Sequence, residues 1–369
     1  MPLSSEDNLR LNVMLASGVD AIRIDEGKMI VYGLNNTDEA RVQLNPNCKD
    51  EQYIKQVREL LSGHVLGSPG GYPVFLKRWT RMGQMKDESL ADLLKLGEPE
   101  AVMAVVCASG LSSELARLAW WAAPEAEHAR RMLENKTIVN SEIGKELANF
   151  LIEFLPFEED PHAIVRSVKL VLQGELVSEE QVKSIWDKGN RKNVYRIGFL
   201  HEQAHNLPVQ QTQKDAYEEI STALDSLAGK NSLALVLKQV FSAQGQTFLS
   251  VSEEILRKPA NQEVVSELID AMSTYFQSAL PGDWKEQDIE SIKNNTDLVM
   301  EEGVGLVADV LQVLPKHHDE IHALITLAQI TDAVTIPVFS RTDAVGTVMR
   351  KKLEPVTTPI FELFSCLQK

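Results

Sequence analysis

From Asp50 to the end of the chain, apolar residues recur at helical spacing in short runs, each bounded by a capping residue, a proline or a glycine. That punctuation restricts the chain to many packed helices. Asp50 can cap a helix whose Ile54, Val57 and Leu61 share one face, with Gly63 as a stop. Leu90, Leu93 and Leu94 mark a short helix ended by Gly97, and Pro99 suits the first turn of Glu100–Ala108. That run, which includes Cys107, is apolar all round and is therefore expected to be buried. Ser112 or Ser113 opens a helix through Trp120 and Trp121, Pro124 opens another, and Ile143, Leu147, Phe150, Leu151 and Phe154 stripe a third. Asp160-Pro161 starts a helix to Gln173, and Ser178 with Gln181 has the spacing of a capping box.

The first fifty residues read differently. Ala21–Asp25 and Met29–Leu34 carry β-branched residues around Glu26-Gly27-Lys28, which predicts a hairpin, and Ala40–Leu44 adds a short third strand. So small a sheet needs helices to pack on. Asn206-Leu207-Pro208-Val209-Gln210-Gln211-Thr212-Gln213 reads as a linker. Beyond it the spacing predicts helices over Asp215–Ala228, Ser232–Leu256, Glu263–Ser278, Trp284–Met300 and His318–Ala333, with Pro337 before a last helical region. The expected fold is mainly α, multi-helical in stacked pairs, with a small N-terminal β-hairpin or meander. Its expected parts are a β segment over 1–48, a helical domain over 49–209 and a second helical domain over 210–369.

A chain of 369 residues has room for two cores, and 44% apolar with 24% charged residues is an ordinary globular mix. The net charge of −16 disfavours nonspecific binding to nucleic acid or to an anionic membrane, while leaving RNA open at a local basic patch. No apolar run is long enough for a membrane span, and Met1–Asp7 lacks the basic and apolar stretches of a secretory signal. Cys48, Cys107 and Cys366 are too scattered for a disulfide framework. A cytoplasmic protein is expected.

The sharpest motif is His201-Glu202-Gln203-Ala204-His205. On a helix, residues four apart share a face, so both imidazoles could bind one zinc ion while Glu202 activates its water. Against this, no third histidine follows, and a polar helix end running into the linker is the commoner meaning. His318 and His322 are also four apart beside His317 and Asp319, but they open a helix after Pro315, where polar residues cap and solvate the first turn. The loop Leu66–Pro73 is glycine-rich without P-loop spacing, and its prolines remove donors that a phosphate cradle would use. After it, Lys77, Arg78, Trp79 and Arg81 interleave charge with aromatic surface in an otherwise acidic chain. These four are the candidate binding residues for RNA, a phosphate or an acidic partner, although a helix with Phe75, Leu76 and Trp79 in the core and its Lys and Arg facing water is the commoner meaning. Cys366, near the end, is the candidate for a mobile thiol, with Phe361, Leu363, Phe364 and Leu367 arguing for a docked helix instead.

His64–Val74 and Arg78–Gln84, with Gly97–Val102 and Glu114–Trp121, resemble the DsrS family, encoded in the dissimilatory sulfite reductase gene cluster of sulfur-oxidising bacteria. The resemblance covers about residues 5–200. It implies a cytoplasmic accessory or regulatory protein of sulfur oxidation, whose partners are proteins of that pathway, and it carries over no catalytic residue. The expectation is therefore a binding protein without catalysis or cofactor. The alternatives are a zinc-dependent hydrolase through His201, Glu202 and His205, and a thiol sulfur carrier through Cys366.

Overall fold

Before Asp50 the spacing marks strands only, yet Ser5–Ala16 forms a helix. Its stripe is blurred, because Leu11, Met14 and Leu15 are buried while Leu9 and Val13 face solvent. Ser4 starts it, its hydroxyl accepting from the Asp7 amide at 3.1 Å. In this computed structural model the described residues are 3–36, 38–67, 87–227, 229–282, 284–286 and 288–368. The candidate residues Lys77, Arg78, Trp79 and Arg81 lie outside them.

The chain forms two compact units, 1–154 and 155–369. In the first, β1 (Ala21–Asp25), β2 (Ile30–Asn35) and β3 (Asp38–Gln43) make an antiparallel meander in chain order. Ile22 stands opposite Gly33, and Val31 opposite Val42. A Cβ on Gly33 would lie 2.9 Å from both Met14 Sδ and Val19 Cγ1, so glycine lets the first helix sit down on the sheet. The helix Asp50–Leu66 runs through Gly63 and ends at Gly67, whose φ of 68° is left-handed. The expected stop at Gly63 is thus corrected. An interior glycine costs about 1 kcal/mol, less than is gained by burying Tyr53, Ile54, Val57 and Leu61 on this core. Asp7, fully buried, accepts from the Tyr53 hydroxyl at 2.5 Å and the Asn45 amide at 2.7 Å, tying the first helix to the second. Short helices from Pro99 to Phe154 complete the unit. There Trp120 packs edge-on to Phe150 at 4.8 Å and donates its indole N–H to Glu146.

The ordered elements of the second unit are all helices among its described residues, joined by turns and by the irregular stretch 203–216. Ser178 and Gln181 form both halves of the capping box. Pro161–Val171 crosses Val194–Glu202 at Gly198, where a Cβ would come within 2.6 Å of Val168 Cβ. The single helix expected over Ser232–Leu256 is two, Ser232–Phe241 and Ala243–Arg257. Ser242 turns the chain between them, and a Cβ on Gly245 would fall 2.1 Å from the Gln239 carbonyl, so only glycine fits that corner.

The compact units meet at 154/155, not at the expected 209/210. Val194–Glu202 packs on the helix Gln262–Phe276, which places residues from 155 on with the later helices. The supposed linker is tied down inside this unit: the Leu207 amide donates to Gln244 at 2.9 Å and the Gln211 amide to Thr247 at 2.8 Å. No single helix among the described residues is long and apolar enough to cross a membrane.

Candidate functional site

The histidine motif does not form the site its spacing suggests. The helix carrying His201 ends at Glu202, and Gln203 (φ −125°, ψ 35°) has already left helical geometry. His205 therefore shares no helical face with His201, and its ring lies 5.5 Å from that of Tyr275. His201 is buried, with Nε2 3.9 Å from Glu267 Oε2 and 3.9 Å from Asp270 Oδ2 and no hydrogen-bond partner. The other Glu267 oxygen is held by His162 Nδ1. Burial, reinforced by Lys169, pushes the His201 pKa down, and burial pushes the Glu202 pKa up. Among the described residues no group of three or more His, Cys, Asp or Glu side chains could hold a metal ion. The zinc expectation lacks its ligand set.

The second histidine cluster is dispersed among separate carboxylates. His317 bonds Glu320 at 3.1 Å and His322 bonds Asp297 at 2.8 Å, while His318 lies 3.7 Å from Asp319. Cys107 is exposed where a buried helix residue was expected, because the helix stops at Val106 and leaves it as the C-cap. Cys366 sits half-buried on the last helix, its carbonyl accepting from the buried Lys214 ammonium at 3.3 Å.

What the fold does bring together is a set of cations. The sequence contains three Arg–Lys dipeptides, Arg191-Lys192, Arg257-Lys258 and Arg350-Lys351. The first lies in the turn between the helices Glu179–Lys188 and Val194–Glu202, and the second at the end of Ala243–Arg257. There the negative end of the helix dipole favours basic residues. The third lies near the start of Gly346–Gln368. All three line two adjoining cavities in the second unit. One, of about 610 Å³, has Arg191, Lys192, Arg257 and Lys258 in its walls. The other, of about 570 Å³, has Arg257, Lys258, Arg350 and Lys351. The shared pair Arg257 and Lys258 makes them one groove.

Few of these charges are neutralised. Arg257 pairs with Glu253 at 2.5 Å and lies over the Phe361 ring at 4.5 Å. Lys192 donates to the Glu158 carbonyl at 2.8 Å, and Arg350 to Thr347 at 2.9 Å. Arg191, Lys258 and Lys351 form no ion pair among the described residues. The carboxylates in the walls are Glu159, Glu254 and Glu354. Glu254 is engaged by Arg196 at 2.7 Å. Between the charges stand Val264, Leu256, Pro259, Leu353 and Phe361. The groove thus offers cations separated by apolar surface, the arrangement that takes an acidic chain with apolar residues between its charges. Periodicity did not single these residues out. The trace they leave in the sequence is the dipeptide itself, three times in an acidic chain. The chain matches no protein-family model, no curated protein and no solved structure.

Proposed function

We propose that this is a non-catalytic binding protein that docks an acidic segment of a protein partner in the Arg–Lys groove of its second unit. The observation that carries the reading is the convergence of all three Arg–Lys dipeptides on one groove in a chain of net charge −16. A duplex nucleic acid meets repulsion over most of such a surface, and the Phe361 ring is covered by Arg257 rather than open for base stacking. An acidic peptide is slender enough to enter, and its apolar residues find Leu256, Leu353 and Phe361. The resemblance to DsrS proteins supports a partner among the cytoplasmic proteins of sulfur oxidation and an accessory or regulatory role there.

The test uses a fluorescein-labelled peptide of alternating Glu and Leu, with anisotropy read on the full-length protein. Binding is expected to weaken about tenfold or more when Arg350→Gln and Lys351→Gln are combined, a loss of about 1.4 kcal/mol, and to weaken as salt is raised. Binding that ignores both the substitutions and the salt defeats the proposal. So does a single-stranded oligonucleotide of equal charge that binds more tightly than the peptide.

A further inference from the structure

The two outer strands of the meander end the sheet differently. On β1 the Ile22 amide donates to the Leu94 carbonyl at 2.9 Å, so that edge is covered. On β3 no such cover exists among the described residues, and Asp38, Glu39, Ala40, Arg41 and Gln43 are exposed. We infer that β3 is a self-association edge, on which a second copy of this chain adds its own β3 antiparallel across a two-fold axis. This association draws on the first unit and needs nothing from the Arg–Lys groove.

The pairing within the sheet fixes which backbone groups are free. In an antiparallel ladder, alternate residues bond to one neighbouring strand and the residues between them point away from it. Ile22 points away from β2, so Ala21, Arg23 and Asp25 bond to their partners Leu34, Tyr32 and Ile30. That leaves Val31, Gly33 and Asn35 to bond to Val42, Ala40 and Asp38 on β3. The Leu44 amide, which donates to the Met29 carbonyl at 2.9 Å, keeps the same alternation. The N–H and C=O groups of Glu39, Arg41 and Gln43 therefore point outward, and among the described residues they meet no backbone partner. The devices that commonly block such an edge are missing. Asp38–Gln43 contains no proline, and its residues pair one to one with β2, without a bulge.

Charge selects both the occupant and the register. A single sign of charge along the edge would protect it, whereas opposite signs two residues apart make it complementary to itself. Outward residues must meet outward residues across the new edge. Centring the two-fold axis on Glu39 or on Arg41 sets like charges opposite each other, as does a parallel in-register pairing. Centring it on Ala40 sets Glu39 opposite the partner's Arg41 and Arg41 opposite the partner's Glu39, and each pair exchanges both of its backbone bonds. The side chains suit that register. Arg41 is exposed and enters no ion pair among the described residues. Glu39 Oε2 accepts from Arg23 at 3.3 Å and from the Trp121 indole at 3.2 Å, which positions the carboxylate and leaves Oε1 without a partner among the described residues. Arg23 lies over the rings of both Tyr32, at 4.8 Å, and Trp121, at 4.9 Å, so the group that orients Glu39 is itself held. The partner's arginine meets a carboxylate already in place.

The experiment is sedimentation equilibrium on the full-length protein in the presence of a reductant. One strand makes a small interface, so self-association is expected at about 10–100 μM chain. Arg41→Glu makes both paired positions acidic, and Glu39→Arg makes both basic. Each variant alone should dimerise at least tenfold more weakly. An equimolar mixture of the two restores opposite charges in both pairs and should associate within about threefold of the unaltered protein. Ala40→Cys gives a reading that no charge reversal can disturb. At the two-fold axis the Cα atoms of a non-bonded antiparallel pair stand about 4.5 Å apart, within the range a disulfide spans. Mild oxidation should therefore link position 40 of one copy to position 40 of the other, located by peptide mapping, with the unaltered protein as control. A protein that stays monomeric up to about 500 μM overturns the inference. So does a dimer that both charge reversals leave intact, or a mixture of the two variants that associates no better than either alone. Should Glu39→Arg fail to fold, the link at position 40 decides, and its absence in a dimeric sample is equally fatal.

Discussion

Replacing Arg196 by Met tests whether the groove is supported from beneath as the structure describes. The side chain is 8% exposed and holds three things at once: Asn190 Oδ1 at 2.5 Å, Glu254 Oε2 at 2.7 Å and the Trp186 ring at 5.1 Å. A hydrogen bond from a charged donor contributes about 1.5 kcal/mol. The Glu254 partner is 63% exposed, so that pair contributes about 0.5 kcal/mol. The cation over the indole contributes about 1 kcal/mol. Together these amount to about 3 kcal/mol, and deleting the Nε–H that has no acceptor returns about 1 kcal/mol. Met fills much of the arginine stem, so the expected loss is about 2 kcal/mol. Amide hydrogen exchange, read by mass spectrometry on peptides covering 179–202, should accelerate by about 30-fold at neutral pH. Arg196→Lys should lose nearly as much, because an ammonium cannot span Asn190 and Glu254 in a planar fork. Exchange that changes less than threefold, or that Lys fully restores, would refute the account of Arg196 as the tie that holds the wall residues Asn190 and Glu254.

Two further outcomes follow from buried polar groups. Tyr53→Phe removes the donor to Asp7 at a site where both side chains are fully buried, and should cost about 2 kcal/mol at neutral pH. Burial alone pushes the Asp7 carboxyl up, but hydrogen bonds from Tyr53, Asn45 and Ser4 outweigh it and hold the carboxyl below its ordinary 3.8. A carboxyl depressed in the folded state stabilises above its unfolded value and loses that contribution as pH falls through the folded one. The Tyr53→Phe penalty in urea unfolding should therefore shrink below about pH 4, and a penalty that stays constant with pH would contradict this. The two histidines beside Glu267 should have pKa values displaced in opposite directions. His162, bonded to Glu267, lies above the ordinary 6.5, and its stabilisation is full below 6.5 and lost as pH rises through the folded value. His201, lowered by burial, disfavours the fold as pH drops below 6.5. Ring-proton NMR showing His201 titrating at or above His162 would reject both assignments.

The parts of the fold that were legible are those whose causes are local. Ser178 and Gln181 make their capping box with bonds of 2.9 and 3.3 Å between residues three apart, and Asp160 caps the helix that Pro161 opens. The hairpin β1–β2 follows from β-branched residues on either side of a short turn in the same way. The misreadings arise where distant contacts decide. His201 and His205 have the spacing of a shared helix face, but the chain leaves the helix at Gln203, and Gln244 then holds Leu207 in the core. The helix expected over Ser232–Leu256 breaks because Gly245 permits a corner that its neighbours in sequence do not reveal. The candidate groove belongs with these. Residues 191, 257 and 350 meet only through tertiary packing, and each dipeptide alone is an ordinary solvated surface.

Why an acidic protein should keep such a groove is itself informative. With 53 acidic against 37 basic residues, a carboxylate is available for nearly any surface cation, and many find one at helical spacing, as Arg10, Arg117 and Arg131 do. Arg191, Lys258 and Lys351 do not, and they stand near other cations, which costs free energy in the unliganded protein. A ligand that supplies negative charge relieves that repulsion, so part of its affinity is already stored in the fold. The acidic surroundings then act in the opposite sense. They repel a broad polyanion at distances up to the Debye length of about 8–10 Å, while a narrow segment that enters the groove meets cations at contact range. On this reading selectivity comes from the contrast between the groove and its rim, and a variant that neutralises rim carboxylates should bind more anions with less discrimination.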